Sequence, residues 1–259
     1  MRILHCCLAN FYIDNYGYQE NIITKMHKLQ GHDVMILAST ETYLNNNKIG
    51  YVEPKSYINE NGIPVTRLPY VNWLPHGIAK KLRIYKGITD ALNSFNPEII
   101  FLHGCQFISI REIVSFIKCN KDVKVFVDGH TDFVNSARNW LSKNILHGII
   151  YKHCAKIIEP YTTKFYGVLP TRVDFFRTMY GIPSEKLELL VMGVDDSVVD
   201  FARKNQIRES VRKTLNLLDD DFVIVTGGKI DKRKNIHKLM RAVINLNLKH
   251  IKLIVFGKP

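Results

Sequence analysis

Residues 222–235 read FVIVTGGKIDKRKN, and this stretch decides how the chain folds. Phe222-Val223-Ile224-Val225 is a short apolar run of the kind that forms a buried strand. Gly227 and Gly228 follow, then a loop carrying Lys229, Lys232, Arg233 and Lys234. A helix comes next, with Ile236, Leu239, Met240 and Val243 on one face. Glycines allow a ligand close to the backbone, and a helix start offers unpaired N–H groups and the positive end of a dipole. The arrangement suits a phosphate. The same residues also fit an ordinary strand-to-helix turn with solvated lysines. The loop lacks the Walker spacing and the Gly-x-Gly-x-x-Gly dinucleotide fingerprint.

Working outward, the strand-and-helix rhythm repeats along the chain. Ile3 to Ala9 reads as a buried strand, followed by a loop that contains Gly17 and a helix from about Tyr18. Gly31 is its natural stop, and Asp33 to Ala38 is the next strand. Thr40 to Gly62 is polar, lacks periodicity and reads as an excursion from the sheet. Ile63 to Leu68 resumes as a strand. One helix is expected around Ile78 to Leu92. Glu98 to His103 and Val123 to Val127 are further strands. The expected pattern continues with a helix from Val134 to His153, a strand over Ala155 to Ile158, a helix over Thr171 to Tyr180 and a strand over Leu187 to Val191. After a helix holding Ile207, Val211 and Leu215, the opening strand and its helix lead to a last strand, Ile251 to Phe256. This alternation predicts an α/β protein with a doubly wound parallel sheet over residues 1–195 and a second, smaller α/β unit over 196–259.

The 259 residues are 46% hydrophobic and 23% charged, which is globular composition. A net charge of +12 points to an anionic partner: nucleic acid, an anionic membrane surface or a phosphorylated substrate. Five cysteines with no Cys-x-x-Cys pair argue against a disulfide framework or a zinc site and for a reducing cytosol. Met1-Arg2-Ile3-Leu4 lacks the apolar core of a signal peptide, and no run is long enough to span a bilayer. The expectation is a cytoplasmic or peripheral protein.

Four stretches then match one pattern. Gly31-His32-Asp33-Val34 resembles the segment that opens the second strand of family 4 glycosyltransferases. Gly181-Ile182-Pro183-Ser184-Glu185-Lys186, followed by Met192-Gly193-Val194-Asp195, looks like a later segment of the same family. Gly228-Lys229-Ile230 with Lys234-Asn235 is similar to its phosphate loop, and Leu253 to Gly257 to the strand beyond. All four lie in the family's order.

The resemblance implies the GT-B architecture, two Rossmann-like domains, with residues 1–195 on the acceptor side and 196–259 opening the nucleotide-sugar domain. It implies transfer of a sugar from a UDP- or GDP-linked donor to a glycan or lipid-linked acceptor, with retention and without a metal or other cofactor. By position, Lys229 and Lys234 would hold the donor diphosphate, His130 would touch the donor sugar, and Gly17 would lie close to the phosphates. Two departures stand out. Lysine 229 replaces the family's arginine and so loses the bidentate fork. The Glu-x7-Glu segment expected after Gly257 is missing, so the sequence reads as truncated within its second domain, and the activity of this length of chain is open.

The chemistry agrees with those positions. Breaking the bond from the anomeric carbon to a diphosphate builds negative charge on the leaving group, which fixed cations and N–H donors stabilise. His130 follows an apolar strand, where open α/β sheets place their sites, and Asp128 and Asp132 flank it. His130 could instead cap the following helix. His103, Asp128 and Asp132 are the expected acceptor-side residues, with His103 the weaker candidate. Trp73 and Leu74 precede Lys80, Lys81, Arg83 and Lys86, while Trp140 and Leu141 sit beside Arg138 and Lys143. Aromatic residues beside lysines suit an anionic membrane interface, and equally a core tryptophan beside a solvated face. The competing class is a non-catalytic basic α/β module holding nucleic acid or another anionic partner, but no RNA-recognition signature or zinc finger is present. An NAD enzyme is disfavoured by the missing glycine fingerprint after the first strand.

Overall fold

The computed structural model describes residues 1–44, 48–230 and 232–258, with the side chains of Lys229, Arg233 and Lys258 outside the description. The chain forms two compact units, Met1–Asp195 and Asp196–Pro259.

The first unit is built on an eight-stranded sheet. Its strands are β1 (Arg2–Cys7), β2 (Asp33–Ser39), β5 (Lys55–Ile58), β6 (Pro64–Leu68), β7 (Ile99–His103), β8 (Lys124–Gly129), β9 (Thr162–Gly167) and β10 (Leu187–Leu189), with β3 (Glu41–Tyr43) and β4 (Ile49–Tyr51) pairing apart from it as a small antiparallel ribbon. The spatial order is β10-β9-β8-β7-β1-β2-β6-β5, and only β5 runs antiparallel to its neighbour. The strand order therefore reverses at β1 and β7, which pair side by side. Ligand crevices of open α/β sheets form beyond the strand ends at such a reversal.

The inner strands are mainly apolar rather than alternating, as expected of a parallel sheet buried on both faces. Leu4, Cys6, Leu102, Val127 and Phe165 belong to the larger core, and Cys7, Val34, Ile36, Ile63 and Val65 to a smaller one. Four of the five cysteines are buried, and burial pushes the Cys6 thiol up to about 12. Helix α1 (Gln19–Leu29) connects β1 to β2. Gly31 ends it at φ 79°, which lets the His32 N–H reach back to the His27 carbonyl.

Four expectations need correction. The single helix around residues 78–92 is two, α2 (His76–Leu82) and α3 (Ile88–Phe95). Residues between them cross to pair with Tyr70 and Val71, and the Tyr85 hydroxyl donates to the Leu8 carbonyl, which pulls the chain out of helical register. The polar stretch after Thr40 leaves the sheet only in part: β3 and β4 pair apart from it, while β5 returns to pair with β6 at its edge. The helix expected from Val134 begins later. Asp132 Oδ1 accepts the N–H groups of Val134 and Asn135 and holds a turn there. After α4 (Ile110–Cys119), a π-helical run Ser142–Tyr151 continues directly into α5 (Lys152–Ile158). Residues 155–158 are thus helix, not strand, and the strand is β9. A short apolar run does not distinguish the two by periodicity. Helix α6 (Pro170–Phe175) and the π-helical turn Phe176–Tyr180 close on Gly181, as the sequence suggested.

The second unit contains α7 (Lys204–Thr214), β11 (Phe222–Lys229), α8 (Ile236–Leu246) and β12 (Ile251–Lys258). Its two strands are parallel and in full register. Gly228 pairs with Gly257, both at positive φ, and a Cβ on Gly257 would overlap the Gly228 carbonyl. Phe222 and Phe256 are both more than half exposed.

Candidate active site

The strand reversal in the first unit gathers a polar cluster. His5 lies on β1, His103 ends β7, and Asp128 stands beside His103 on β8. His103 Nδ1 is 2.8 Å from Asp128 Oδ2, and both side chains are fully buried. Burial disfavours charge on His103, but the Asp128 carboxylate outweighs it and lifts the imidazole above its ordinary value. Burial would likewise raise Asp128, yet His103, and then His130, hold it well below the usual carboxylate range. The favoured state is therefore an internal His103–Asp128 ion pair.

His130 is partly exposed, with Nε2 3.7 Å from Asp128 Oδ1. Neither of those two atoms, both buried, makes a hydrogen bond. Helix α1 aims its first residues at the same place. Gln19 Nε2 lies 3.5 Å from Asp128 Oδ2, and Asn10 donates to the buried Glu20. Gly17 lines a cavity of about 160 Å³ with Gln19, Ile22, Leu190, Met192 and Gly193. Asp195, which ends the motif after that cavity, pairs with Lys25 of α1 at 2.7 Å.

The expected acceptor-side set thus separates. His103 and Asp128 stand together inside the fold, behind His130. Asp132 is not aligned on the His130 ring; it caps the turn described above and lies 3.7 Å from Arg172 Nε. Two residues that the sequence reading did not select are also in place. His5 continues the polar chain on the far side of His103, with its Nδ1 3.0 Å from His103 Nε2. Arg67, 3% exposed, reaches from β6 to the carbonyls of Tyr12 and Ser39 and to the carboxylate of Asp14. The only sign of either in the sequence was a basic residue inside an otherwise apolar strand.

In the second unit the expected glycine turn is strand instead: Gly227 and Gly228 lie within β11, paired with Phe256 and Gly257 of β12, then a 3-10 turn Lys232–Lys234 follows and Asn235 at φ 57° starts α8. Lys234 is exposed at this helix start. Lys229 closes β11, and its side chain lies outside the described residues. Among the described residues, no group of three or more His, Cys, Asp or Glu is placed to hold a metal ion. Among them, too, no helix is long and apolar enough to cross a membrane.

No known protein family matches this sequence, and no curated protein matches it. The fold does match solved structures. A glycosyltransferase from Rickettsia africae ESF-5 aligns with a TM-score of 0.54 at 12% identity, over 100% of this chain and 68% of that one. WaaG, a glycosyltransferase involved in lipopolysaccharide biosynthesis, aligns at 0.53 and 11%, over 98% of this chain and 62% of that one. An α,α-trehalose 6-phosphate synthase from Burkholderia multivorans aligns at 0.55 and 12%, over 100% and 63%. The chain spans 62–68% of the length of these three proteins. At such identities the likeness speaks for the fold: a Rossmann-like α/β architecture of the kind found in GT-B glycosyltransferases.

Proposed function

We propose that this chain belongs to a glycosyltransferase that moves a sugar from a UDP- or GDP-linked donor to a glycan or lipid-linked acceptor, with retention and without a metal, in cell-surface polysaccharide or glycolipid synthesis. The observation that carries this reading is the cluster of Asp128 and His130 at the strand reversal of a fold shared with glycosyltransferases. In this reading His130 hydrogen-bonds a donor-sugar hydroxyl, and Asp128 behind it fixes the ring and its tautomer. Lys229, Lys234 and the first N–H groups of α8 neutralise the departing diphosphate. Gly17 leaves open space where a side chain would stand, which suits a phosphate approaching the start of α1.

The test is a thermal-shift screen of the chain with UDP, GDP and their sugars against a single-stranded oligonucleotide. A rise with one nucleotide and none with the oligonucleotide is expected. Stabilisation by the oligonucleotide alone would favour a nucleic-acid-binding module and overturn the reading. In the active enzyme, Lys234→Ala is expected to lower turnover by about 10²–10³ with little change in stability.

The acceptor side of this reading includes an anionic membrane on the cytoplasmic leaflet. Trp73 and Trp140 are 70% and 72% exposed, which disfavours a core role for either. An apolar cavity of about 450 Å³ lies between α2 and the π-helical run, lined by Ile78, Lys81, Leu82, Leu141 and Ile145 among others. Apolar residues rimmed by lysine suit the headgroup boundary, where each basic residue contributes about 1 kcal/mol near anionic lipid. Flotation with phosphatidylserine vesicles at low salt is expected and should vanish in a Trp140→Ala, Lys143→Ala variant. Equal flotation with neutral vesicles, or none at all, would remove the membrane from the proposal.

A further inference from the structure

Three imidazoles and a carboxylate form one continuous chain through the first unit. His27 Nδ1 of α1 lies 2.9 Å from His5 Nε2. His5 Nδ1 lies 3.0 Å from His103 Nε2, and His103 Nδ1 lies 2.8 Å from Asp128 Oδ2. His5, His103 and Asp128 are buried, while His27 is only half-buried. The His5 and His103 rings are stacked at 18°, and Phe101 lies against both.

A neutral imidazole has one N–H and one bare nitrogen, so the chain has a direction. With Asp128 ionised, His103 donates from Nδ1, His5 donates from Nδ1 to His103, and His27 donates from Nδ1 to His5. All three rings are then neutral and every link is satisfied. A second arrangement satisfies the same links. A hydronium ion gives a proton to His27 Nε2 and leaves as water, the Nδ1 proton of His27 passes to His5 Nε2, and the Nδ1 proton of His5 passes to His103 Nε2. Three N–H bonds form, while two N–H bonds and one O–H bond break. His27 and His5 end neutral in the opposite tautomer, and the added charge rests on His103 beside Asp128.

We propose that His27, His5 and His103 are a proton wire that loads and unloads His103 from solvent and so sets the net charge of the His103–Asp128 pair behind His130. These three are positioning residues: they act through Asp128 and touch no substrate. The step matters to transfer only if His130 faces the donor, so it rests on the function proposed above. Surrounding groups agree with the direction of loading. Burial, then His103 and His27, hold His5 well below the ordinary imidazole value, so charge does not stop there. Burial, then His32 and His103, also lower His27. Asp128, with Glu20 of α1, favours charge on His103. Gln19 is the remaining polar side chain on Asp128 and carries no charge.

The test is nitrogen NMR of the chain labelled with 15N-histidine, titrated between about pH 5 and pH 10. Two changes at one midpoint are expected on acidification: His103 becomes doubly protonated, and His5 stays neutral while its proton moves from Nδ1 to Nε2. A His5 that keeps one tautomer throughout, or a His103 that never changes state, would overturn the wire. His27→Gln supplies the surface-end control. Its amide can hydrogen-bond either tautomer of His5 but cannot take up a proton and pass it on, so the midpoint at which His5 and His103 change should be displaced. An unchanged titration in this variant would equally overturn the proposal. The spectra need no substrate, so they stand even if no nucleotide-sugar binds. If turnover is found, His27→Gln should displace its pH profile and leave the profile's height at the optimum nearly intact; a profile identical to wild type would deny the wire any part in the reaction.

Discussion

Nε2 of His130 stands 3.7 Å from Oδ1 of Asp128, beyond a normal hydrogen bond and within reach of a strong electrostatic pull. The two residues should therefore behave as one device. His130→Ala is expected to lower turnover by about 10²–10³. Asp128→Asn should lower it too, and the double variant should be little worse than His130→Ala alone, because groups acting as a unit are not additive. Asp128→Asn should also cost about 3–5 kcal/mol of stability, since it strands a buried His103. Steady-state kinetics and urea denaturation of the same four proteins check both statements. Additive kinetic losses would separate the residues.

Arg67 ties the ends of three strands. Its guanidinium donates to Tyr12, Ser39 and Asp14, and its Nε to the Tyr57 hydroxyl. Arg67→Met should cost about 3 kcal/mol, because the carbonyls it leaves are buried and Asp14 loses its cation. Arg67→Lys should recover only part, since an ammonium cannot reproduce the fork. Urea midpoints of the two variants give the ranking, and equal midpoints would contradict it.

Gly167 and Gly129 let α6 and its π-helical turn lie flat on the sheet. A Cβ on Gly167 would overlap the Val173 backbone and come within 2.8 Å of its Cα. One on Gly129 would strike the buried Phe176 ring. A ring can shift and a backbone cannot easily do so. Gly167→Ala should cost more than Gly129→Ala, with both in the range of about 1–3 kcal/mol expected of overpacking.

His147 predicts a pH effect remote from the candidate site. Its Nδ1 lies 2.8 Å from the Tyr180 hydroxyl, and burial, then Arg83, lower its value to about 4. The folded state resists the proton that the unfolded state accepts from its ordinary value of 6.5 downward. Stability should fall as pH drops from 6.5 towards 4 and stop falling on this account below that. His147→Phe should flatten that part of the profile in denaturant titrations at successive pH values. A parallel fall in both proteins would assign the effect elsewhere.

The parallel sheet was legible because its strands are apolar runs separated by helical periodicity, and Arg2–Cys7, Asp33–Ser39 and Ile99–His103 lie within a residue or two of where the pattern put them. The pattern failed where tertiary contacts overrule local preference. Tyr85 breaks a helix to reach Leu8, and residues 155–158 finish a helix that a four-residue apolar run cannot announce. Asp128 and His130 could be singled out as candidates because they stand at the end of an apolar strand and just beyond it. His5 was not. Its partner on β7 is 98 residues away, and one histidine in a buried strand gives no periodic sign of a chain of imidazoles.

The two borders of the eight-stranded sheet are unequal but alike in effect. One is β10, three residues long, and the other is the antiparallel β5, which puts Lys55 and Ser56 outward and ends against Pro64. Neither offers the long, flat row of free amides that lets copies of a protein zip together laterally. Fibre growth by strand addition should be slow even at the concentrations used for crystallisation.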